Sequence, residues 1–312
     1  MNYRKRKFFA GEYLHVYQRT IGGVNIFYDR IDRLVFFTIF ATICKLYDII
    51  PIQLCIMVDH IHILIASDKL EEVASFLRHF TSYFAQVYNL ETGRKGALFH
   101  KSYGSAPKKG NKKIRSTIVY IGNNPVEKSL CRDASEYRWN FLAYAVDSNP
   151  FSDKVAMRNC PPRIRSILKE IQKKQEANRY LSYAQLKRIF AKLDDKETEF
   201  VTDYIISSYY PFDTKRLLSF YNSYSDMINA MRSSAGSEYD IKEKYYQGSD
   251  KVYEEMTNYV ESVLNIKPAR LVTTLSTDTK FEVAKQLQAA TMGTTGQISK
   301  FLHMKIMHEG EE

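Results

Sequence analysis

Met57-Val58-Asp59-His60-Ile61-His62-Ile63-Leu64-Ile65 places two histidines on either side of one isoleucine inside an apolar run. In a β-strand successive side chains alternate faces, so His60 and His62 share one face and Ile61 takes the other. Two imidazoles side by side can share one metal ion, since neutral imidazole is a common protein ligand. The same pair also fits a solvated strand face or a hydrogen-bonded core, so the stretch needs support from elsewhere in the chain.

Ile50–Val58 and Ile61–Ala66 read as a β region around the histidines. Tyr13–Ile21 reads as an earlier strand ended by Gly22-Gly23. Asp29 to Tyr47 has helical spacing through Ile31, Leu34, Val35, Thr38, Ile39 and Thr42, and Leu70–Asn89 is a second amphipathic helix. Glu91–Asn111 is punctuated by Gly93, Gly96, Gly104, Pro107 and Gly110, which predicts loop with a short strand at Leu98–Tyr103. Lys112–Asn124 returns to helix, and Pro125 is expected to stop it because the residue before a proline is biased away from α geometry. The reading is an α+β domain over residues 1–150.

Beyond Pro150 the pattern is helical. Arg163–Asn178, Tyr183–Ala191, Glu197–Tyr210, Thr214–Ser233, Lys251–Leu264 and Phe281–Ala290 are predicted helices, so residues 151–312 form a mostly helical C-terminal domain suited to DNA binding or dimerisation. Thr294–Met304 resembles one helix of a helix-turn-helix module, with a capping threonine and Ile298, Phe301 and Leu302 at helical spacing; two ordinary packing helices fit as well.

The 312-residue chain has a net charge of +10, unevenly spread. Residues 1–135 carry 20 Lys/Arg against 11 Asp/Glu, and residues 136–312 carry 25 against 24. A positive half that also holds the His pair points to a polyanion, nucleic acid before anionic membrane. Cys44, Cys55, Cys131 and Cys160 show no zinc spacing, and Cys44 and Cys55 lie in apolar segments as small buried hydrophobes. The basic start lacks a signal-peptide core and no run reaches ~18 apolar residues, so a cytoplasmic protein without a membrane span is expected.

A second element bears on the chemistry. In Tyr120-Ile121-Gly122-Asn123-Asn124-Pro125-Val126, Tyr120 and Asn124 are four apart and share one helix face. One offers a hydroxyl nucleophile and the other a neutral oxygen ligand. Beside the His pair they would bring a metal and a nucleophile to one phosphate. The chain has 23 tyrosines, and Tyr83, Tyr88 and Tyr103 are rival nucleophiles.

The combination of His60-Ile61-His62 with Tyr120-Ile121 and Asn124-Pro125-Val126 resembles the single-tyrosine HUH transposases, nearest to the REP-associated tyrosine transposase group. Tyr13–Arg19 followed by Ile26-Phe27 and a helix is similar to the family's first strand and helix. Glu136-Tyr137-Arg138-Trp139 resembles the segment that closes the domain. The resemblance spans roughly residues 10–150. It implies a ferredoxin-like antiparallel sheet with packed helices, Tyr120 as nucleophile, and His60, His62 and Asn124 as ligands of Mg²⁺ or Mn²⁺. It also implies cleavage of single-stranded DNA, often beside a hairpin, through a 5′-phosphotyrosine intermediate and a free 3′-OH. Asp59 departs from the family's more usual Asn or Glu, and Gly122 sits inside the nucleophile's helix, where glycine costs ~1 kcal/mol relative to alanine.

Two basic clusters fit a phosphate backbone: Arg4, Lys5, Arg6 and Lys7 before the first strand, and Lys108, Lys109, Lys112, Lys113 and Arg115 leading into the Tyr120 helix. The expected partner is single-stranded or hairpin DNA, with the protein a monomer or homodimer, nucleoid-associated if bacterial. Two other readings stay open. One is a domesticated, non-catalytic DNA-binding protein. The other is a metal-dependent nuclease that uses water.

Overall fold

The computed structural model describes residues 8–235 and 249–304. Its centre is one antiparallel sheet built from β1 (Tyr13–Arg19), β2 (Ile50–Ile56), β3 (His60–Ala66) and β4 (Gly104–Lys108), in the order β2-β3-β1-β4. The first helices are α1 (Arg30–Cys44), between β1 and β2, and α2 (Leu70–Thr92), between β3 and β4. This βαββαβ sequence with its first and third strands central is the ferredoxin-like arrangement, and the α+β reading holds.

The β2–β3 turn is short, and β1 pairs with β3 so that Tyr17 faces His62 and Arg19 faces His60. Strand alternation then sorts the side chains. Ile61, Ile63 and Ile65 join Leu14, Val16, Leu54 and Ile56 in a core under α1 and α2. Phe36, Phe37 and Phe40 of α1 and Phe76, Phe80 and Phe84 of α2 fill that core. Asp29 caps α1, accepting from the Asp32 amide at 2.9 Å. The other sheet face carries Ile52, Cys55 and Leu64 against α3 (Asn111–Glu127).

Three sequence expectations need correction. The short strand lies at Gly104–Lys108 rather than Leu98–Tyr103, where only Phe99 bridges Thr20. Its five residues, Gly-Ser-Ala-Pro-Lys, lack apolar alternation, and Pro107 suits an edge strand, which can spare an N–H. Helix α3 also does not stop before Pro125 but runs through it to Glu127, because the proline falls in the last turn and the Lys128 amide still reaches the Asn124 carbonyl at 3.2 Å. Finally, Thr214–Ser233 is two helices, α7 (Thr214–Leu218) and α8 (Tyr224–Ser234), since the Ser223 hydroxyl caps a new start at the Asp226 amide.

The remaining helices are α4 (Pro162–Glu176), α5 (Tyr183–Phe190), α6 (Asp195–Tyr209), α9 (Lys251–Ser262), α10 (Thr277–Ala290) and α11 (Thr295–Leu302). Their buried residues fall into three hydrophobic clusters. Ile164, Leu168, Leu186, Val201 and Ile205 extend the core beyond α1. Met227, Ile228 and Met231 of α8 join α3. Residues of α9, α10 and α11 form a third cluster with Tyr28 and Val58. Helix α11 has the expected Thr294 cap, with Gln297 completing a reciprocal box. Its C-terminal end is fastened to the loop after β1. The Asn25 amide donates to the Lys300 carbonyl at 3.2 Å, Tyr28 Oη to the Phe301 carbonyl at 2.5 Å, and His303 Nε2 to the Asn25 carbonyl at 2.5 Å. All four cysteines are free thiols, with Cys44, Cys55 and Cys160 buried. Among the described residues no helix is long and apolar enough to cross a membrane.

Candidate active site

The His60 and His62 rings stand 5.0 Å apart, nearly perpendicular, on the sheet face that α3 covers. Their neighbours hold them differently. His60 Nδ1 lies 2.5 Å from Asp59 Oδ1, so the ring donates there and keeps Nε2 as its other nitrogen. Asp59 is braced in turn by Arg19, whose Nε and Nη2 reach Oδ2 at 3.0 and 2.8 Å. Burial pushes the Asp59 carboxyl up, but the charges of His60 and Arg19 outweigh it and leave the group at about 2. For His60 burial works downward, and the Asp59 carboxylate reverses the balance and raises it. Asp59 therefore orients the first histidine. Carboxylate-backed imidazoles are a recurrent feature of metal sites.

His62 is fully buried. Its Nε2 lies 3.2 Å from Asn124 Nδ2 and its Nδ1 lies 3.2 Å from His15 Nε2. Burial first, then the charges of His60 and His15, push its proton affinity well below the ordinary range, so the ring is neutral, as a ligand must be. Tyr120 meets both buried imidazoles edge-on, its ring centre 5.4 Å from His62 and 5.8 Å from His15. The structure thus brings His60, His62, Asn124 and Tyr120 together. Tyr83, Tyr88 and Tyr103 pack instead into the core on the opposite sheet face.

The donor set fits a divalent ion. Two imidazoles and a side-chain amide supply nitrogen and oxygen, and they leave coordination positions open for water and phosphate. Among the described residues no group of three His, Cys, Asp or Glu is placed to hold a metal.

Helix α3 is fixed over the site from two directions. Gln53 Nε2 of β2 donates to the Ile118 carbonyl at 3.3 Å, and Asn123 Nδ2 donates to the Met231 carbonyl of α8 at 2.8 Å. Gly122 is where α8 crosses. A Cβ there would stand 2.6 Å from Met231 Cε. On β4, Gly104 makes room for the Tyr17 ring, which would lie 1.9 Å from an added Cβ. Only 3% of Tyr120 is exposed.

Residues missed in the sequence complete the picture. His15 and Tyr17 share the site face of β1, and Tyr17 lies in register with His62. A lone histidine in a strand has no distinguishing pattern until the strands are paired. Asp250, at the start of α9, is anchored by its amide to the Lys128 carbonyl at 2.9 Å. Burial raises its carboxyl to about 6, partly offset by the nearby charge of His60. No local signal links Asp250 to a histidine 190 positions earlier.

Of the basic clusters, Lys109, Lys112, Lys113 and Arg115 are exposed around the start of α3, and Lys108 is half-buried on β4. Lys109 lies over Phe9 at 5.8 Å and Arg115 over Tyr221 at 4.8 Å. Arg4, Lys5, Arg6 and Lys7 lie outside the described residues. The Glu136–Trp139 segment ties the sheet to α6: Tyr137 Oη donates to the Ile56 carbonyl at 2.8 Å, and Arg138 pairs with Asp203 at 3.1 Å.

Residues 10–124 match the model of the IS200-like transposase family. The match begins just before β1 and ends at Asn124, and it does not reach the later helices. A solved structure of a REP-associated tyrosine transposase bound to a REP hairpin aligns with 47% of this chain and 86% of its own, at 13% identity and a TM-score of 0.39. No curated protein matches.

Proposed function

We propose that the protein is a single-tyrosine DNA strand transferase, in which Tyr120 attacks a phosphodiester of single-stranded DNA and forms a 5′-phosphotyrosine link. The observation that carries this reading is the convergence of the Tyr120 ring on His62, with Asn124 one helical turn away on the same imidazole. The match of residues 10–124 to the IS200-like transposase model supports a transposase-like role.

His60 and His62 would hold the ion through Nε2, with the Asn124 amide turned to present its oxygen. The chemistry such an ion would supply there is withdrawal of charge from a nonbridging phosphate oxygen, which would favour attack. Mg²⁺ and Mn²⁺ both suit the chemistry, and imidazole favours Mn²⁺. Tyr120 Oη forms the new bond to phosphorus as the bond to the 3′ oxygen breaks. The phenol gives up its proton, and a proton finishes on the departing 3′ oxygen. The aryl phosphate ester keeps a good leaving group, so a 3′-OH can reverse the step and rejoin strands. Lys109, Lys112, Lys113 and Arg115 would hold the backbone beside the nucleophile, contacts that position DNA without reading its sequence.

Incubation with a hairpin oligonucleotide bearing a single-stranded extension, with Mn²⁺, tests this. A denaturation-resistant protein–DNA adduct is expected, and Tyr120→Phe should abolish it. An adduct surviving in Tyr120→Phe removes the assignment. Cleavage without an adduct identifies a nuclease that uses water, and DNA retention without cleavage identifies a binding protein.

A further inference from the structure

We propose that His15 is a positioning residue that sets the tautomer of His62, accepting a hydrogen bond from His62 Nδ1 so that the Nε2 lone pair faces Asn124 and the ion. This rests on His60 and His62 being metal ligands. Each of the two histidines then has a partner on its Nδ1 side. Asp59 takes that place for His60 at 2.5 Å, and His15 takes it for His62 at 3.2 Å.

The geometry supports a shared proton. The His15 and His62 rings are nearly parallel, 25° apart with centres 5.3 Å apart, and His15 Nε2 lies 3.2 Å from His62 Nδ1. A neutral imidazole has one N–H and one lone pair. If His15 donated, His62 would carry its own proton on Nε2, which faces Asn124, and could not ligate. If His62 donates, its Nε2 is bare, and Asn124 Nδ2 stands 3.2 Å away in position to donate to it.

The arrangement has a visible disadvantage. His15 must then carry its proton on Nδ1, and that atom is buried with no hydrogen-bond partner among the described residues. A buried donor without an acceptor lowers stability and calls for an explanation other than packing. Support of the neighbouring ligand is such an explanation. A purely structural histidine would be expected to have that atom satisfied.

The proposal separates stability from metal affinity. Ring ¹⁵N shifts of the metal-free protein read the tautomer directly, and Mn²⁺ titration followed by electron paramagnetic resonance reads affinity. The expected results are a proton on His62 Nδ1 in the wild type and Mn²⁺ binding weakened by about tenfold to a hundredfold in His15→Phe, the range for loss of a partner behind a ligand. The thermal midpoint of His15→Phe should not fall. His15→Gln, which restores an acceptor, should bind Mn²⁺ close to the wild type. A proton on His62 Nε2 in the metal-free wild type overturns the proposal, as does His15→Phe binding Mn²⁺ with unchanged affinity. Failure of the wild type to bind Mn²⁺ would instead remove the metal-ligand reading, while the ring shifts still decide the tautomer.

Discussion

Asp59 grips His60 through one carboxylate oxygen at 2.5 Å and Arg19 through the other at 2.8 Å, so a single acid joins a site histidine to the end of the neighbouring strand. Replacing it with asparagine removes the charge that raises His60. If His60 holds a metal ion as proposed, proton and metal compete for its imidazole. Mn²⁺ affinity should therefore fall with decreasing pH in both proteins, with the midpoint of the fall at lower pH in Asp59→Asn. At neutral pH the variant should still bind more weakly, by about tenfold or more, because the ligand loses its carboxylate support. Calorimetric Mn²⁺ titrations between pH 5 and 8 check both effects; superimposable pH profiles would contradict them.

Gly122 is better explained by helix crossing than by flexibility. Alanine would gain about 1 kcal/mol in helix propensity. Its methyl group would also press on the end of Met231, a flexible side chain that can shift, at about 1–3 kcal/mol. Gly122→Ala should thus range from neutral to about 2 kcal/mol destabilised by urea unfolding. Gly122→Leu should displace α8 and lose well over that. Equal stability of the leucine variant and the wild type would mean that α8 does not bear on α3 as described.

Acid should loosen the hold of α11 on the loop after β1. Burial pushes His303 down to about 4 despite its bond to the Asn25 carbonyl, while an unfolded histidine titrates near 6.5. Between those values the unfolded chain binds a proton that the folded chain does not, so stability falls as pH drops. The loss from this one group reaches ~2 kcal/mol at pH 5. His15, pushed to about 3 by burial and then by the charge of Lys108, acts in the same direction. Urea midpoints at pH 7.5 and 5 should show a steeper decline for the wild type than for His303→Gln.

Lys112 and Lys113 project from the first turn of α3 and are exposed. If they lie along a DNA backbone, replacing both with alanine should reduce the slope of log affinity against log salt by about 1.5 for single-stranded DNA. The loss should be similar for unrelated oligonucleotides, since phosphate contacts do not read bases. Fluorescence anisotropy across a salt series measures this, and an unchanged slope would place the DNA elsewhere.

Much of the sheet was legible because its signals are local. Alternation through Ile61, Ile63 and Ile65 gave β3, and the i, i+4 spacing of Tyr120 and Asn124 gave a shared helix face. The edge strand was not legible, because Gly104–Lys108 owes its conformation to pairing with β1 and not to its own side chains. Pro125 does not end α3 because it falls in the last turn, where the Lys128 amide still closes on the Asn124 carbonyl, and that end point is not marked in the sequence. His15 required knowledge of strand register, and Asp250 required the path of a chain returning from a distant helix. Both properties arise only on folding.

If Tyr120 is the nucleophile proposed above, its 3% exposure means that its reactivity is governed by a population. A phenol enclosed by the imidazoles and α3 meets a phosphate only in conformers whose cover has moved, so the observed rate is the intrinsic rate scaled by their fraction. A DNA that binds the open conformers better raises that fraction, and one that binds both forms equally leaves it unchanged. On that reading selection among DNA molecules would begin at the opening step, before any bond is cut.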